Sequence, residues 1–95
     1  MKIKKVPTSE SKFQFHFHCP GCEQEHAFND EVWEWNQDYN NPTLSPSFLI
    51  YGYRFDKNGK SVSFRCHSYI TEGKIQFLSD CTHSLKDQIV DLPTL

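Results

Sequence analysis

The sequence predicts a mostly β fold: an antiparallel meander with one short helix near the C-terminus. Three observations carry that expectation. Aromatic residues are plentiful for a chain of 95 residues, with eight Phe, four Tyr and two Trp, and large flat side chains favour pleated, half-buried surfaces. Two turn signals, Asn58-Gly59 and Glu72-Gly73, separate three strand-like runs. A tight Cys19-Pro20-Gly21-Cys22 turn offers two thiols to an anchor, and a domain with a modest core often needs one.

The elements follow in order. Residues 1–11 read as a loosely held arm with a short strand from Ile3 to Val6. Phe13, Phe15, Phe17 and Cys19 then alternate with Gln14, His16 and His18, the period of a half-buried strand. His26 to Phe28 leads back out of the cysteine turn. Val32 to Trp35 is extended, and Asn36 to Pro42 is polar and loop-like. Two prolines in Pro42-Thr43-Leu44-Ser45-Pro46-Ser47 argue against a helix or a central strand. That segment reads as a rigid loop presenting hydroxyls. Phe48 to Phe55, Ser61 to Ile70 and Lys74 to Asp80 are the meander. Thr82 can cap a helical turn through Leu85, and Ile89 to Leu92 is a last short strand. No repeat or linker interrupts the chain, so residues 1–95 are expected to be one domain.

Two-residue turns would fix the register. Tyr51 would then face Cys66, and Cys66 would face Ser79. Leu49, Tyr51, Tyr53, Phe55, Val62, Phe64, Cys66, Ile70, Ile75, Phe77 and Cys81 would form the core face. His67 and Asp80 would meet on the opposite face, with Arg54, Arg65 and Gln76.

The formal charge of −2 lacks the basic excess of a phosphate-binding domain. Lys2, Lys4 and Lys5 form a basic cluster at the N-terminus, read as a solubilising tail. No apolar run approaches the ~20 residues that span a bilayer, and no export leader is expected. A reducing cytosol is therefore the expected compartment. There, four cysteines read as metal ligands or catalytic groups rather than disulfides.

Zinc takes four Cys or His ligands in a structural site. Cys19 and Cys22 supply half of one, which gives the fold its zinc-ribbon-like character. Cys66 should join them, with Cys81 or His83 as the fourth ligand and His26 as a further alternative. A thioredoxin-like pair is disfavoured because the βαβ context is missing.

A nucleophile, a base and an orienting acid make a hydrolase when geometry allows. His67 and Asp80 would supply base and acid, and Ser45, Ser47 and Ser68 offer hydroxyls. Ser68 points to the core face by alternation. Ser47 would do so too, unless the chain bends after Pro46.

The motif set Phe17-His18-Cys19-Pro20-Gly21-Cys22, Pro42-Thr43-Leu44-Ser45-Pro46-Ser47, Cys66-His67-Ser68, Gly73-Lys74-Ile75-Gln76-Phe77 and Asp80-Cys81-Thr82-His83 resembles a phage and bacterial family of unknown-function domains. A related branch consists of small serine peptidases of bacterial ubiquitin-like conjugation operons. The branch pattern is a Pro-Ser pair and a histidine six residues before a turn glycine, matched here by Pro46-Ser47 and by His67 before Gly73. One departure stands out: the branch has a cysteine three residues before its histidine, where this chain has Phe64.

The resemblance implies a zinc-binding peptidase of the bacterial cytoplasm, in some cases phage-encoded. Ser47 would be the nucleophile and His67 the base. Asp80 as the acid follows from register alone. The zinc would be structural. The partner would be a protein or peptide, such as a ubiquitin-like tail added as a strand to an open sheet edge. Two other readings compete. One is a non-catalytic zinc-ribbon-like adaptor touching its partner through Trp33, Trp35 and Tyr39, although core packing is the plainer role of both tryptophans. The other is a catalytic zinc with an open position.

Overall fold

Alternation builds the first sheet. In the computed structural model, which describes residues 1–7, 13–29 and 31–95, strand β2 (Phe13–Cys19) buries Phe15, Phe17 and Cys19 on one side. β2 lies between β1 (Lys4–Pro7) and β3 (Gln24–Phe28), both antiparallel to it. The expected arm is not loose at its start. Ile3 is fully buried, and the amides of Lys2 and Ile3 both donate to Tyr39 O. Residues 8–11 of that arm lie outside the described residues.

The second sheet has the order β4 (Glu34–Trp35), β5 (Leu44–Phe55), β6 (Ser61–Thr71), β7 (Lys74–Phe77) and β8 (Ile89–Asp91), all antiparallel. The expected meander is thus the middle of a larger sheet. β6 and β7 pair as the two-residue Glu72-Gly73 turn requires, with Thr71 opposite Lys74 and Ser68 opposite Phe77. Glu72 and Gly73 both have positive φ, 49° and 79°, as a type I′ turn demands.

The first hairpin departs from expectation by one residue. Ile50, not Tyr51, faces Cys66, and Phe55 faces Ser61. The cause is Asp56. Its carboxylate accepts from the amides of Asn58 and Lys60 at 2.8 and 2.9 Å, while the Asp56 amide donates to Lys60 O. This draws Lys57-Asn58-Gly59 into a three-residue loop with Gly59 at φ +76°. A one-residue slip moves every side chain of a strand to the other face. Leu49, Tyr51, Tyr53 and Phe55 are consequently exposed and do not belong to the core; on β6, Val62 is exposed and Phe64 half-buried although both keep the face of Cys66. Cys66, Ile70, Ile75, Phe77 and Cys81 are buried as expected.

The two sheets enclose an aromatic core. Phe48 meets Phe17 edge-on at 5.2 Å between ring centroids, and Trp33 stacks on Phe48 at 4.9 Å. Trp35 tilts against Phe15 at 4.7 Å and takes Tyr39 on its edge. Burying a Phe side chain is worth about 1.5–3 kcal/mol, so these rings join the sheets without a helix. Among the described residues there is none. Residues 82–85, expected to hold a helical turn, form no helix: a bend at His83 leads into turns over residues 84–87, with Lys86 N donating to His83 O and Gln88 N to Leu85 O. Asp87 at φ 65° ends any helical path there. No helix of the described residues is long and apolar enough to cross a membrane.

Candidate active site and metal centre

Four of the candidate metal ligands converge between the sheets. The Cys19–Cys22 turn closes with Glu23 N donating to Cys19 O, and Cys22 N points at Cys19 Sγ at 3.4 Å. From the other sheet, Cys66 Sγ comes within 3.8 Å of Cys19 Sγ. His26 is buried on β3, and its Nε2 has no hydrogen-bond partner. Ligand atoms of Cys19, Cys22, His26 and Cys66 all lie within 4.8 Å of one another and could hold a metal ion.

The chemistry of these donors fits a cation. Hydrogen bonding from Cys22 and then Cys66 pulls the Cys19 thiol far below its ordinary value. The same contact with Cys19 pushes Cys22 up to about 11 and raises Cys66 strongly. Thiolates this close repel one another, and a bound cation would let all three ionise together.

Cys81 and His83 form a second group with Cys66, but Cys81 has other work. Its Sγ accepts from His67 N and donates to His67 O, both at 3.2 Å. His83 Nδ1 accepts from Leu85 N, leaving Nε2 buried and unpartnered. The His83 ring also sits over Gly21, where an added Cβ would come within 2.3 Å of ring carbon Cε1. Gly21→Ala should therefore push His83 aside and lower the melting temperature by several degrees, readable by calorimetry. An unchanged melting temperature would mean that the knuckle can move freely.

On the opposite face of the second sheet, Ser47, His67 and Asp80 come together. The register of the first hairpin makes this possible. Leu49 faces His67, so Ser47, two residues earlier on β5, shares that face without the extra bend alternation had required. The path before it is irregular: Leu44 pairs with Ile70, the register then shifts, and pairing resumes at Phe48 with Ser68. The Ser45–Pro46 peptide bond within this stretch is cis. Ser68 is fully buried and Ser45 is exposed on the β4 side.

Ser47 Oγ lies 3.1 Å from His67 Nε2, and His67 Nδ1 lies 3.1 Å from Asp80 Oδ2. A carboxylate only accepts, so the Nδ1 proton faces Asp80, and Nε2 is left to accept from the serine hydroxyl. Asp80 arrives by a tight turn after β7, in which Leu78 N donates to His67 O and Cys81 N to Leu78 O. Partial desolvation raises its carboxyl, but the hydrogen bond from His67 and the Arg65 guanidinium at 3.5 Å outweigh this and hold it below the ordinary aspartate value.

Comparison with known families is decisive at this point. The model of a family described as the bacterial ubiquitination-like system serine protease, BubE, matches residues 2–78. The chain belongs to the BubE family. The match covers Cys19, Cys22, His26, Ser47, Cys66 and His67, while Asp80, Cys81 and His83 lie beyond it. No curated protein and no solved structure matches the chain. Membership accords with the Pro46-Ser47 and His67-to-Gly73 signals in the sequence. The residue that sequence reasoning underweighted is His26. Its signal was the alternation of His26 with Phe28 in β3, which puts both inside.

Proposed function

We propose that this BubE-family chain is a zinc-stabilised serine peptidase acting on an extended peptide, such as the tail of a ubiquitin-like protein. The observation that carries this reading is the Ser47–His67–Asp80 relay, with both hydrogen bonds at 3.1 Å. Ser47 Oγ attacks the peptide carbonyl carbon as His67 Nε2 takes the hydroxyl proton. His67 returns that proton to the leaving nitrogen as the C–N bond breaks, which leaves an acyl group on Ser47. Water then attacks the acyl carbon as the same imidazole takes its proton, and the imidazole returns that proton to Ser47 Oγ as the ester C–O bond breaks and the acid leaves. Asp80 keeps the ring in the required tautomer and stabilises its charged form.

Cys19, Cys22, Cys66 and His26 would hold the zinc, a Cys₃His set of the kind found in structural sites. Its contribution would be a cross-link between the two sheets. With all four donors supplied by the protein, it would have no open position for an activating water. The adaptor reading is weaker, because Trp33 and Trp35 pack inward on the core rather than forming a contact surface.

A fluorophosphonate probe tests the proposal directly. It should label the wild-type chain at Ser47, located by mass spectrometry, and fail to label Ser47→Ala. A folded wild-type chain that stays unlabelled would remove the serine-peptidase reading.

A further inference from the structure

The substrate has a marked place to lie. β4 pairs only with Leu44 and Ser45 of β5. From Phe48 to Phe55, β5 pairs with β6 on one side, and among the described residues no strand pairs with its other side. At about 3.4 Å per residue this open edge is roughly 25 Å long. It begins beside Ser47. It also carries Leu49, Tyr51, Tyr53 and Phe55 on the same face as His67, all exposed, with Tyr53 and Phe55 at 78 and 79%. Arg65, which contacts Asp80, lies over the Tyr51 ring at 6.0 Å.

We infer that the open edge of β5 from Phe48 to Phe55 is the substrate-binding strand. An extended peptide adds to it antiparallel, with the residues that precede the cut bond lying along it. This rests on the serine-peptidase reading and adds a location, a direction and a sequence preference.

The direction follows from β4. β4 runs antiparallel to β5 on this same edge, and antiparallel pairing is the slightly more stable choice. A peptide in that orientation enters opposite Phe55 and travels toward Ser47. Just past Ser47 the edge is already occupied by Glu34 opposite Ser45, so the peptide must leave the sheet there. The carbonyl at the point of departure is the one within reach of Ser47 Oγ. This suits a chain that arrives as a tail from the N-terminal side.

The preference follows from the pleat. Paired residues in an antiparallel sheet point to the same face. Peptide residues opposite Leu49, Tyr51 and Tyr53 therefore project beside those side chains, and the residues between them project to the other face. Apolar side chains at alternate positions before the cut are expected. Backbone hydrogen bonds to β5 supply affinity, and the aromatic row supplies selection.

Peptidyl diphenyl phosphonates test this, because they place only the preceding residues on the enzyme and react with the serine. A series with Leu or Gly at the reacting residue, extended by up to six residues with alternating Val and Thr, is compared with the small fluorophosphonate on the intact zinc-loaded chain. The better phase of alternation should react with Ser47 at least tenfold faster than the opposite phase. N-methylation should abolish the gain at every second peptide nitrogen and spare those between. Tyr51→Ser and Tyr53→Ser should each reduce the ratio of peptide rate to small-probe rate severalfold. Labelling of Ser47 by the small probe, without any gain or periodic N-methyl effect from the peptides, would overturn the strand proposal alone. Failure of both kinds of probe on a folded chain would overturn the peptidase reading and this one with it.

Discussion

His67→Ala is expected to slow fluorophosphonate labelling of Ser47 by at least about a thousandfold, the scale on which single members of a catalytic triad act. His67 is the base within reach of the serine hydroxyl among the described residues, at 3.1 Å. An alkoxide does not form near neutral pH without a group to take its proton. Asp80 acts one step further back, as a positioning residue. In Asp80→Asn the amide can offer an N–H to Nδ1, which favours the tautomer whose Nε2 carries the proton and cannot accept from Ser47. A fall of about a thousandfold is expected there too. Asp80→Glu should restore part of the rate, since a carboxylate would again face the ring. Asp80 lies at the exposed end of its turn, so the melting temperature should barely change, as is usual for surface substitutions of about ±0.5 kcal/mol. A slower rate at constant stability separates orientation from folding. Wild-type labelling of both His67→Ala and Asp80→Asn would mean that the contacts at Ser47 and His67 are incidental.

The second large effect is loss of the metal. One zinc ion per chain is expected to survive dialysis, and a strong chelator should unfold the protein cooperatively. Structural zinc in small domains is worth about 10–16 kcal/mol at neutral pH. The whole stability of a domain this size is about 5–15 kcal/mol. Removing the ion should therefore remove the fold. Cys19→Ser should lose the metal and melt far below the wild type. His26→Ala and His83→Ala distinguish the fourth ligand. The first should lower zinc content by elemental analysis, and the second should retain it, because His83 groups with Cys81 and Cys66 rather than with Cys19 and Cys22. Full zinc occupancy in His26→Ala would reassign the site.

What could be read from the sequence depended on how each register was set. Glu72 and Gly73 form a turn with no competing side chain, so the pairing of β6 with β7 was legible. The strand was read on to Asp80 with Ser79 opposite Cys66, but it ends at Phe77, and Asp80 reaches His67 through the turn that follows. The Asn58-Gly59 signal pointed to the right loop but the wrong length. Asp56 captures two amides of that loop, and turn dipeptides do not reveal such a capture. The whole of β5 turned over as a result. That single residue explains both errors about this strand: the aromatic row placed in the core, and the conflict at Ser47. The Cys19–Cys22 turn was legible because its chemistry is local. Cys66 was expected to join it, and its Sγ lies 3.8 Å from Cys19 Sγ. The fourth donor stayed open, because His26, Cys81 and His83 are sorted only by the packing of two sheets. The short helix failed for a different reason. Thr82 is a good cap in isolation, but its hydroxyl and amide are both taken by Arg65, the hydroxyl accepting from the Arg65 amide and donating to its carbonyl.

Cys66 and His67 are neighbours in sequence, and so are Asp80 and Cys81. In each pair the cysteine turns inward and its neighbour turns toward Ser47. The second sheet is thus a partition one backbone thick. Thiolates are strong nucleophiles toward acyl esters, and a sulfur on the serine side could divert an acyl group from Ser47. On the proposed mechanism, keeping all four sulfurs behind the partition would let a thiol-rich centre and an ester-forming one occupy adjacent residues without meeting.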